Sequence, residues 1–367
     1  MSQEIARERL ERARAMCREQ GWEMMLGYGN LWRCDYLRYL TDFALVEGHG
    51  VAILGEDGKV RLYLESPVEA ERAEVEAPDC EVIWEPDLVS AVAAEISRAG
   101  NRHIGAGPMN LMPEGLAQVF GDNVADAADP FLELITEKTE RELDAVRRAA
   151  RIADEAYPVF CEAARPGRPE YEVMAEFEAY LRSRGCADNF QIMASGGREV
   201  RGMHPPGERR LQKGDLVTTE ITPVVDGYFA QLCRTLVIGE PSAAQQAAFA
   251  IYLEAMEAGI AKARPGVLAG EVAKAENDVF RAHGLGEYTT AKYTRVRGHG
   301  VGMFLDNPPT LLEGVEIPIR PNMAMIVHPN TYNPDVGYMV FGDTLVVHED
   351  GIEILTRTER KLFSVPA

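Results

Sequence analysis

Cysteine, tryptophan and long apolar runs are all scarce in this chain of 367 residues. The six cysteines are scattered and none forms a Cys-x-x-Cys pair, so we expect neither a disulfide framework nor a cysteine-ligated zinc site. No apolar run is long enough to cross a bilayer. The charged N-terminal segment also lacks the apolar stretch of a secretion signal. Together these absences favour a cytoplasmic protein.

Positive charge is also in deficit. The chain has 38 Lys and Arg residues against 58 Asp and Glu residues, for a net charge of −20. Binding to nucleic acids or anionic membranes needs clustered basic residues, so we expect neither as a partner. The hydrophobic content of 46% is ordinary, and the length allows two domains with substantial cores. The acidic balance favours solubility and indicates no particular partner.

Strand and helix patterns alternate through the first third of the chain, which predicts a small α/β domain with a mixed sheet. The remainder predicts two pairs of long helices, at 137–163 with 169–185 and at 242–263 with 269–283. Each pair is interrupted by an Arg-Pro-Gly breaker, which suggests a weak internal duplication. Thr139 and Glu142 have the spacing of a capping box at the start of the first long helix.

The stretch Gly214–Thr235 predicts a β-hairpin. Its strands are expected at 216–222 and 227–238, with a turn at Asp226-Gly227. Side chains alternate along a strand, so Glu220, Gln231 and Cys233 would share a pocket if the two faces meet. A carboxylate and an amide in mid-strand are costly in a plain core, which indicates a site, although a solvated sheet face is the alternative.

The hairpin resembles the signature of the creatinase/prolidase/methionine aminopeptidase superfamily, the "pita-bread" hydrolases. Asp226-Gly227-Tyr228 and Arg234-Thr235 match its motif, and His299 lies in a Gly-His-Gly-x-Gly signature. The resemblance implies an α/β (α+β) fold class. It implies a creatinase/prolidase-like α/β domain at 1–130, a pita-bread catalytic domain at 137–367, and a homodimer.

The resemblance also identifies the positions that hold two metal ions in the peptidase members. In this sequence they are Glu220, Gln231, His299, His328 and Gly342. Both bridging carboxylates are missing, and two dications about 3.5 Å apart need such bridges. The expectation is therefore a site without metal or other cofactor. The alternative is one divalent metal on Glu220, His299 and His328, a two-histidine-one-carboxylate set.

Four residues are candidates for catalysis: His204, Glu220, His299 and His328. The resemblance places His204 where the family keeps a proton-handling histidine, and an imidazole suits that task near neutral pH. Glu220 would activate water or attack directly, while His299 and His328 would hold the developing oxyanion. For a lone loop histidine, a solvated structural role is the competing interpretation.

Five further residues are candidates for substrate binding. Gln231 and Cys233 would line the pocket, and Cys233 stands where creatinase-type members carry a catalytic glutamate. Arg297 flanks a histidine loop and would neutralise an anion on the substrate. Glu47 and His49 lie in a loop that, in creatinase-type dimers, reaches the partner subunit's pocket. An inert buried thiol and ordinary surface charges are the alternatives.

The sequence thus predicts a metal-independent, creatinase-like hydrolase that cleaves a C–N bond, amide or amidine, of a small polar molecule. One alternative is a single-metal Xaa-Pro peptidase-like hydrolase or a lyase. The other is a non-catalytic binding protein on the same fold.

Overall fold

The computed structural model describes residues 2–186 and 189–367, with side chains from residue 4 onward. The chain forms two compact units, one ending at Ile135 and the next beginning at Thr136. In the described ranges, no helix is long and apolar enough to cross a membrane.

The first unit is a six-stranded mixed sheet with the strand order β4-β3-β2-β1-β5-β6. The strands are β1 (Met24–Asn30), β2 (His49–Leu54), β3 (Val60–Leu64), β4 (Cys80–Trp84), β5 (Ile104–Gly107) and β6 (Val124–Asp126). The helices are α1 (Ser2–Gln20), α2 (Asp35–Thr41), α3 (Pro67–Glu76), α4 (Leu88–Ala99), α5 (Glu114–Ala117) and α6 (Ala128–Thr136), the last of which ends at the start of the second unit. The pairs β1–β2 and β2–β3 are antiparallel and the other three are parallel, as expected for a mixed α/β sheet.

The second unit is built on a nine-stranded sheet. Its strands and the short ribbons beside it are β7 (Phe190–Gly196), β8 (Leu216–Thr222), β9 (Val224–Val225), β10 (Tyr228–Phe229), β11 (Leu232–Ile238), β12 (Gly298–Gly300), β13 (Asn307–Thr310), β14 (Ala324–Val327), β15 (Asn330–Asn333), β16 (Gly337–Val340), β17 (Gly342–His348), β18 (Gly351–Ile354) and β19 (Phe363–Val365). The order across the sheet is β13-β12-β14-β17-β11-β8-β7, with β18 beside β17 and β19 beside β11. The pairs β9–β10 and β15–β16 are separate two-stranded ribbons.

Two helix pairs pack against this sheet. They are α7 (Glu140–Ala163) with α8 (Glu170–Ser183), and α9 (Ala243–Lys262) with α10 (Ala269–Ala282). The first pair buries Tyr157, Phe160 and Phe177 in one core cluster with Val217 and Ile221 of β8. The second pair forms a matching cluster with β14 and β17. Since side chains alternate along a strand, Glu220 projects from β8 on the face opposite the helices.

The same turn joins both helix pairs. Arg165 and Arg264 each donate two hydrogen bonds to carbonyl groups at the end of the preceding helix. Gly167 and Gly266 follow with the same positive φ of 83°, a conformation that glycine adopts without steric cost. Each glycine N–H then donates a 2.8 Å hydrogen bond to a carbonyl outside its helix pair. The internal duplication suggested by the sequence is thus visible in the atomic contacts of the turns.

Local sequence signals account for the framework of the hairpin. Asp226 and Gly227 have φ values of 49° and 80°, so both central residues of the turn are left-handed, as a type I′ hairpin turn requires. At the start of α7, Thr139 and Glu142 exchange the two hydrogen bonds of a capping box. These contacts fix the ends of the elements on which the candidate site depends.

Candidate active site

Four residues of the second unit lie in a row across neighbouring strands, on the face opposite the helices. Glu220 of β8 is paired with Cys233 of β11, and Cys233 with Gly342 of β17. His328 directly follows Val327, which is paired with Asp343, so it comes next in the row. The row therefore places Glu220 and His328, 108 positions apart in the sequence, on one face of the sheet with Cys233 and Gly342 between them.

Glu220 is the carboxylate of this row, and the side chain of Gln231 donates a 3.1 Å hydrogen bond from Nε2 to Glu220 Oε2. Burial raises the pKa of Glu220 from 4.5 to about 7, while the nearby charge of Arg295 opposes the shift. Gln231 Oε1 is buried without a hydrogen-bond partner in the described structure. Glu220 is therefore poised to exchange a proton near neutral pH, which a solvated glutamate is not.

His299 is held in β12 between two glycines that the sheet itself requires. A β-carbon at Gly298 would lie 2.2 Å from the carbonyl oxygen of Ile326, and one at Gly300 would lie 2.1 Å from that of Pro308. Both glycines are therefore needed for the close approach of the neighbouring backbone.

The hydrogen bond at Nδ1 sets the tautomer of His299. Nδ1 lies 2.9 Å from the carbonyl oxygen of Gly300, and a carbonyl only accepts, so Nδ1 carries the proton. Burial lowers the pKa of His299, and the neighbouring charge of Asp306, with Oδ1 3.7 Å from Nδ1, opposes that shift. The neutral ring therefore presents a lone pair on Nε2.

His328 has the opposite tautomer. Asn330 Nδ2 lies 2.8 Å from His328 Nδ1 and also donates to the carbonyl oxygen of Val296 at 3.1 Å. Because that carbonyl only accepts, the amide nitrogen faces it, and His328 Nδ1 must be an acceptor. The proton of the ring is then on Nε2, which is buried and has no hydrogen-bond partner among the described residues. Burial lowers the pKa of His328 well below its ordinary value, so the ring is neutral.

The two imidazoles form a donor and acceptor pair. Their ring centroids are 5.2 Å apart and the rings are inclined at 70°. His299 offers a lone pair and His328 offers an N–H, and both rings are neutral near pH 7. Such a pair can bind a polar group that both donates and accepts, such as an amide or a water.

His204 lies on the loop between β7 and β8, and its side chain is 52% exposed. Its Nδ1 donates a 2.8 Å hydrogen bond to the carbonyl oxygen of Pro205. The buried carboxylate of Glu170 anchors this loop by accepting hydrogen bonds from Ser195 and Gly207. No hydrogen bond in the described parts of the chain joins His204 to Glu220, His299 or His328. Its catalytic role stays a prediction.

The environment of the Cys233 thiol does not favour a nucleophilic role. Cys233 is completely buried, and burial together with the charge of Glu220 raises its pKa well above the ordinary value. A thiol attacks as its thiolate, and this environment disfavours the thiolate. Gln231 contacts Glu220 directly, as described above. Substrate binding by Gln231 and Cys233 stays a prediction.

Arg297 is 1% exposed and faces the protein interior. Its Nε donates to Asn277 Oδ1 at 2.6 Å, its Nη1 donates to the carbonyl oxygen of Asn330, and its guanidinium lies over the ring of Phe280. Its predicted contact with a substrate stays a prediction. In the structure the side chain holds the backbone of Asn330, two residues after His328.

Glu47 and His49 belong to the first unit. The carboxylate of Glu47 is exposed and accepts a hydrogen bond from Ser66 Oγ. His49 Nδ1 lies 2.6 Å from the hydroxyl of Tyr28, and the two rings are stacked. Their part in substrate binding stays a prediction.

Two residues that the sequence did not single out act on the site. Asn330 sets the His328 tautomer, and Asp306 lies beside His299 while also forming a 2.7 Å ion pair with Arg295. No periodicity or motif marks them. The sequence offered only one weak indication of their roles, namely that they are polar residues a few positions away from His299 and His328.

Comparison with known proteins identifies the family. Residues 144–349 match the family described as "Metallopeptidase family M24". This chain belongs to that family. A Xaa-Pro dipeptidase of Pyrococcus furiosus is 29% identical over 236 residues, which cover 64% of this chain and 67% of the relative. The probable dipeptidase PepE of Mycobacterium tuberculosis is 30% identical over 283 residues, which cover 76% of this chain and 73% of that protein.

The structural similarity extends through nearly the whole chain. The solved structure of a Xaa-Pro dipeptidase from Bacillus anthracis has a TM-score of 0.83 at 25% identity, and the match covers 98% of this chain and 100% of that one. The predicted superfamily and the predicted fold class, a small α/β domain followed by a pita-bread domain, are therefore confirmed. The M24 chain is a hydrolase that acts on C–N bonds.

The prediction that the site works without a cofactor is wrong. The chain belongs to a metallopeptidase family, and its Xaa-Pro dipeptidase relatives point to a divalent metal ion. The absence of both bridging carboxylates argues against a two-ion centre, but it does not exclude every metal ion.

The five M24 ligand positions do not fit a two-ion centre in this chain. Gly342 has no side chain, and a β-carbon there would lie 2.4 Å from His328 Cβ and 2.6 Å from the carbonyl oxygen of Val327. Gln231 turns its amide nitrogen toward Glu220. His328 Nε2 carries the proton in the tautomer inferred from its contact with Asn330. Within the described ranges, no three His, Cys, Asp or Glu side chains are arranged to hold an ion, and the donors left are Glu220 and His299 Nε2.

Proposed function

We propose that this M24 chain hydrolyses the amide bond of a dipeptide-sized substrate. Its curated relatives include proteins named Xaa-Pro dipeptidase and probable dipeptidase, which makes short peptides the first class to test. The observation that carries the proposal is a carboxylate with a pKa of about 7 in the same strand row as an imidazole N–H that has no described protein partner.

Three of the candidate residues then have a defined part in the reaction. Glu220 takes a proton from a water molecule as the water oxygen attacks the carbonyl carbon of the substrate. His328 donates a hydrogen bond from Nε2 to the developing oxyanion. The proton held by Glu220 passes to the leaving nitrogen as the C–N bond breaks, which restores the carboxylate. His204 exchanges protons between the site and solvent.

Activity against a panel of dipeptides tests this proposal. The panel contains Xaa-Pro dipeptides and matched Xaa-Ala dipeptides. It is assayed without added metal and with Mn²⁺, Co²⁺ or Zn²⁺, because the family points to a divalent ion. We expect Glu220→Gln to lower kcat/KM by about 10² or more, and His204→Ala to lower it less.

Glu208→Gln is the matched control, because Glu208 is exposed and lies near His204 in the same loop. Its kcat/KM should stay close to that of the unmodified protein. Unchanged kcat/KM in Glu220→Gln would overturn the proposed role of Glu220. Failure to cleave any dipeptide under every metal condition would overturn the dipeptide substrate.

A creatinase-like reaction on a small non-peptide amide or amidine is the second candidate. It is favoured by Gly342 and Gln231, which replace carboxylates that the peptidase members use as bridges between ions. Creatine and related amidines, run beside the dipeptides, separate the two candidates. Release of amine or urea from an amidine, with every dipeptide left intact, would select the second.

A homodimer and a cytoplasmic location are further parts of this proposal. The dimer rests on the resemblance to creatinase-type members, and the location on the scattered cysteines, all six of which are free. Light scattering of the purified protein measures the first, and fractionation of the source cells measures the second.

A further inference from the structure

The side chain of Asn330 is fixed in one orientation by its neighbours. Its Nδ2 donates to the carbonyl oxygen of Val296, and its Oδ1 accepts a 2.5 Å hydrogen bond from the hydroxyl of Thr294. Turning the amide over would set its oxygen against the carbonyl oxygen of Val296, 3.1 Å away. The orientation seen is therefore the one that satisfies the amide.

Arg297 holds the backbone of the same residue. Its guanidinium donates to the carbonyl oxygen of Asn330 and to Asn277 Oδ1, and it packs on Phe280. Asn330 is 7% exposed and Arg297 1% exposed, so both contacts are shielded from water. Both the main-chain carbonyl group and the side-chain amide of Asn330 are thus held in place.

The consequence falls on His328. Asn330 Nδ2 faces His328 Nδ1 at 2.8 Å, so a proton on Nδ1 would meet a donor head-on. The proton is therefore confined to Nε2, and that N–H has no acceptor in the described protein. A buried N–H is rarely left without an acceptor, and a bound substrate or water can supply one.

We infer that Asn330 is a positioning residue that keeps His328 in the Nε2–H tautomer, so that His328 donates to an oxygen of the substrate and does not ligate a metal ion. This inference rests on the proposed function for the identity of the substrate oxygen. The tautomer itself is independent of the reaction, and so is the disagreement with the ligand role of this position in the M24 peptidases.

Asn330→Asp is the sharpest test, because it replaces the donor by an acceptor of the same shape. A carboxylate beside His328 Nδ1 requires a proton on Nδ1. The ¹⁵N and ¹³Cδ2 chemical shifts of the His328 ring report the tautomer in isotopically labelled, metal-free protein, and their loss in His328→Gln assigns them. We expect the Nε2–H form in the unmodified protein, and the Nδ1–H or doubly protonated form in Asn330→Asp.

Asn333→Asp is the matched control on the same strand. Asn333 Oδ1 accepts a 2.9 Å hydrogen bond from the backbone N–H of Asp335, and an aspartate can still accept it. Its His328 shifts should match those of the unmodified protein. Identical His328 shifts in Asn330→Asp and Asn333→Asp, or an Nδ1–H form already present in the unmodified protein, would overturn the inference. Asn330→Ala, which should give a mixture of tautomers, replaces Asn330→Asp if that variant does not fold.

Zinc binding gives a second readout that does not depend on activity. In Asn330→Asp the freed lone pair of His328 Nε2 should raise the affinity for Zn²⁺ by about tenfold or more, measured by calorimetry. The double variant Asn330→Asp/His328→Gln should lose that gain. A gain that persists in the double variant would show that the added charge, and not His328, binds the ion, which contradicts the inference.

Kinetics separates this inference from the proposed function. On a cleaved substrate, Asn330→Asp should lower kcat by about tenfold or more while KM changes little, because the N–H acts on the oxyanion. If no substrate is cleaved but the tautomer changes as expected, the proposed function fails and the inference stands. An unchanged kcat in a variant with the switched tautomer would overturn the role of the N–H.

Discussion

A β-carbon at Gly342 would lie 2.4 Å from the β-carbon of His328. The two residues are neighbours on adjacent strands, at positions where the M24 peptidases carry metal ligands. With the backbone as it stands, position 342 therefore has neither a side chain nor room for one. The glycine at position 342, where the M24 peptidases have a ligand side chain, is thus coupled to the position of His328.

Gly342→Ala should destabilise the protein by about 2 kcal/mol or more, because the new methyl group meets backbone atoms that cannot rotate away. That methyl group would lie 2.6 Å from the carbonyl oxygen of Val327. Urea unfolding measures the free energy. Gly351→Ala is the control, since nothing lies within 4 Å of a β-carbon there. Equal stability of the two variants would contradict the steric argument.

Glu220 should make stability depend on pH in an unusual direction. Its folded-state pKa is about 7 against 4.5 in the unfolded chain, so the folded state binds more protons between these values. The contribution is fully present below about pH 4.5 and is lost as pH rises through about 7, a change of about 3 kcal/mol. The free energy of unfolding in urea is measured across this pH range for the chelator-treated unmodified protein and for Glu220→Gln. Parallel pH profiles for the two proteins would contradict the raised pKa.

Asp343 should be essential for the central strands. Its Oδ1 lies 2.7 Å from Nη2 of Arg234, and both side chains are buried between β11 and β17. Asp343→Asn leaves the charge of Arg234 uncompensated, which should cost about 3–5 kcal/mol in thermal or urea unfolding. Arg360→Gln removes a partly exposed partner of the same carboxylate and should cost about 1 kcal/mol or less. A smaller loss for Asp343→Asn than for Arg360→Gln would refute this assignment.

Cys233 should be dispensable for chemistry. Its thiol is completely buried and its pKa is raised, so it is not a thiolate at neutral pH. Cys233→Ala should keep kcat/KM within about twofold once folding is verified, whereas Glu220→Gln should not. Mass spectrometry of the folded protein after iodoacetamide treatment should find Cys233 unmodified. Rapid alkylation of Cys233 that also abolishes activity would reinstate it as a nucleophile.

Local signals predicted much of the framework. The Asp226-Gly227 turn and the Thr139 capping box depend on neighbouring residues, so the sequence carries them directly. Alternation along β8 and β11 was enough to bring Glu220 and Gln231 into contact, because the turn sets the register of the hairpin.

The chemistry of the site could not be predicted in the same way. The tautomer of His328 depends on which atom of Asn330 faces it, and that depends on the backbone carbonyl of Val296. The burial of Arg297 depends on Asn277 and Phe280 of α10. These contacts are set by three-dimensional packing, and no spacing in the sequence reports the direction of an amide.

The repeated Arg-Pro-Gly turn gives the scaffold two equivalent anchors behind the sheet. Arg165 and Arg264 secure their helix pairs through backbone carbonyls, and neither uses a residue of the strand row that holds Glu220 and His328. Residues on the open face, including the coupled positions 328 and 342, can therefore change without the loss of either anchor. A sheet face with a glutamine, a histidine and a glycine at M24 ligand positions is thus compatible with an intact scaffold.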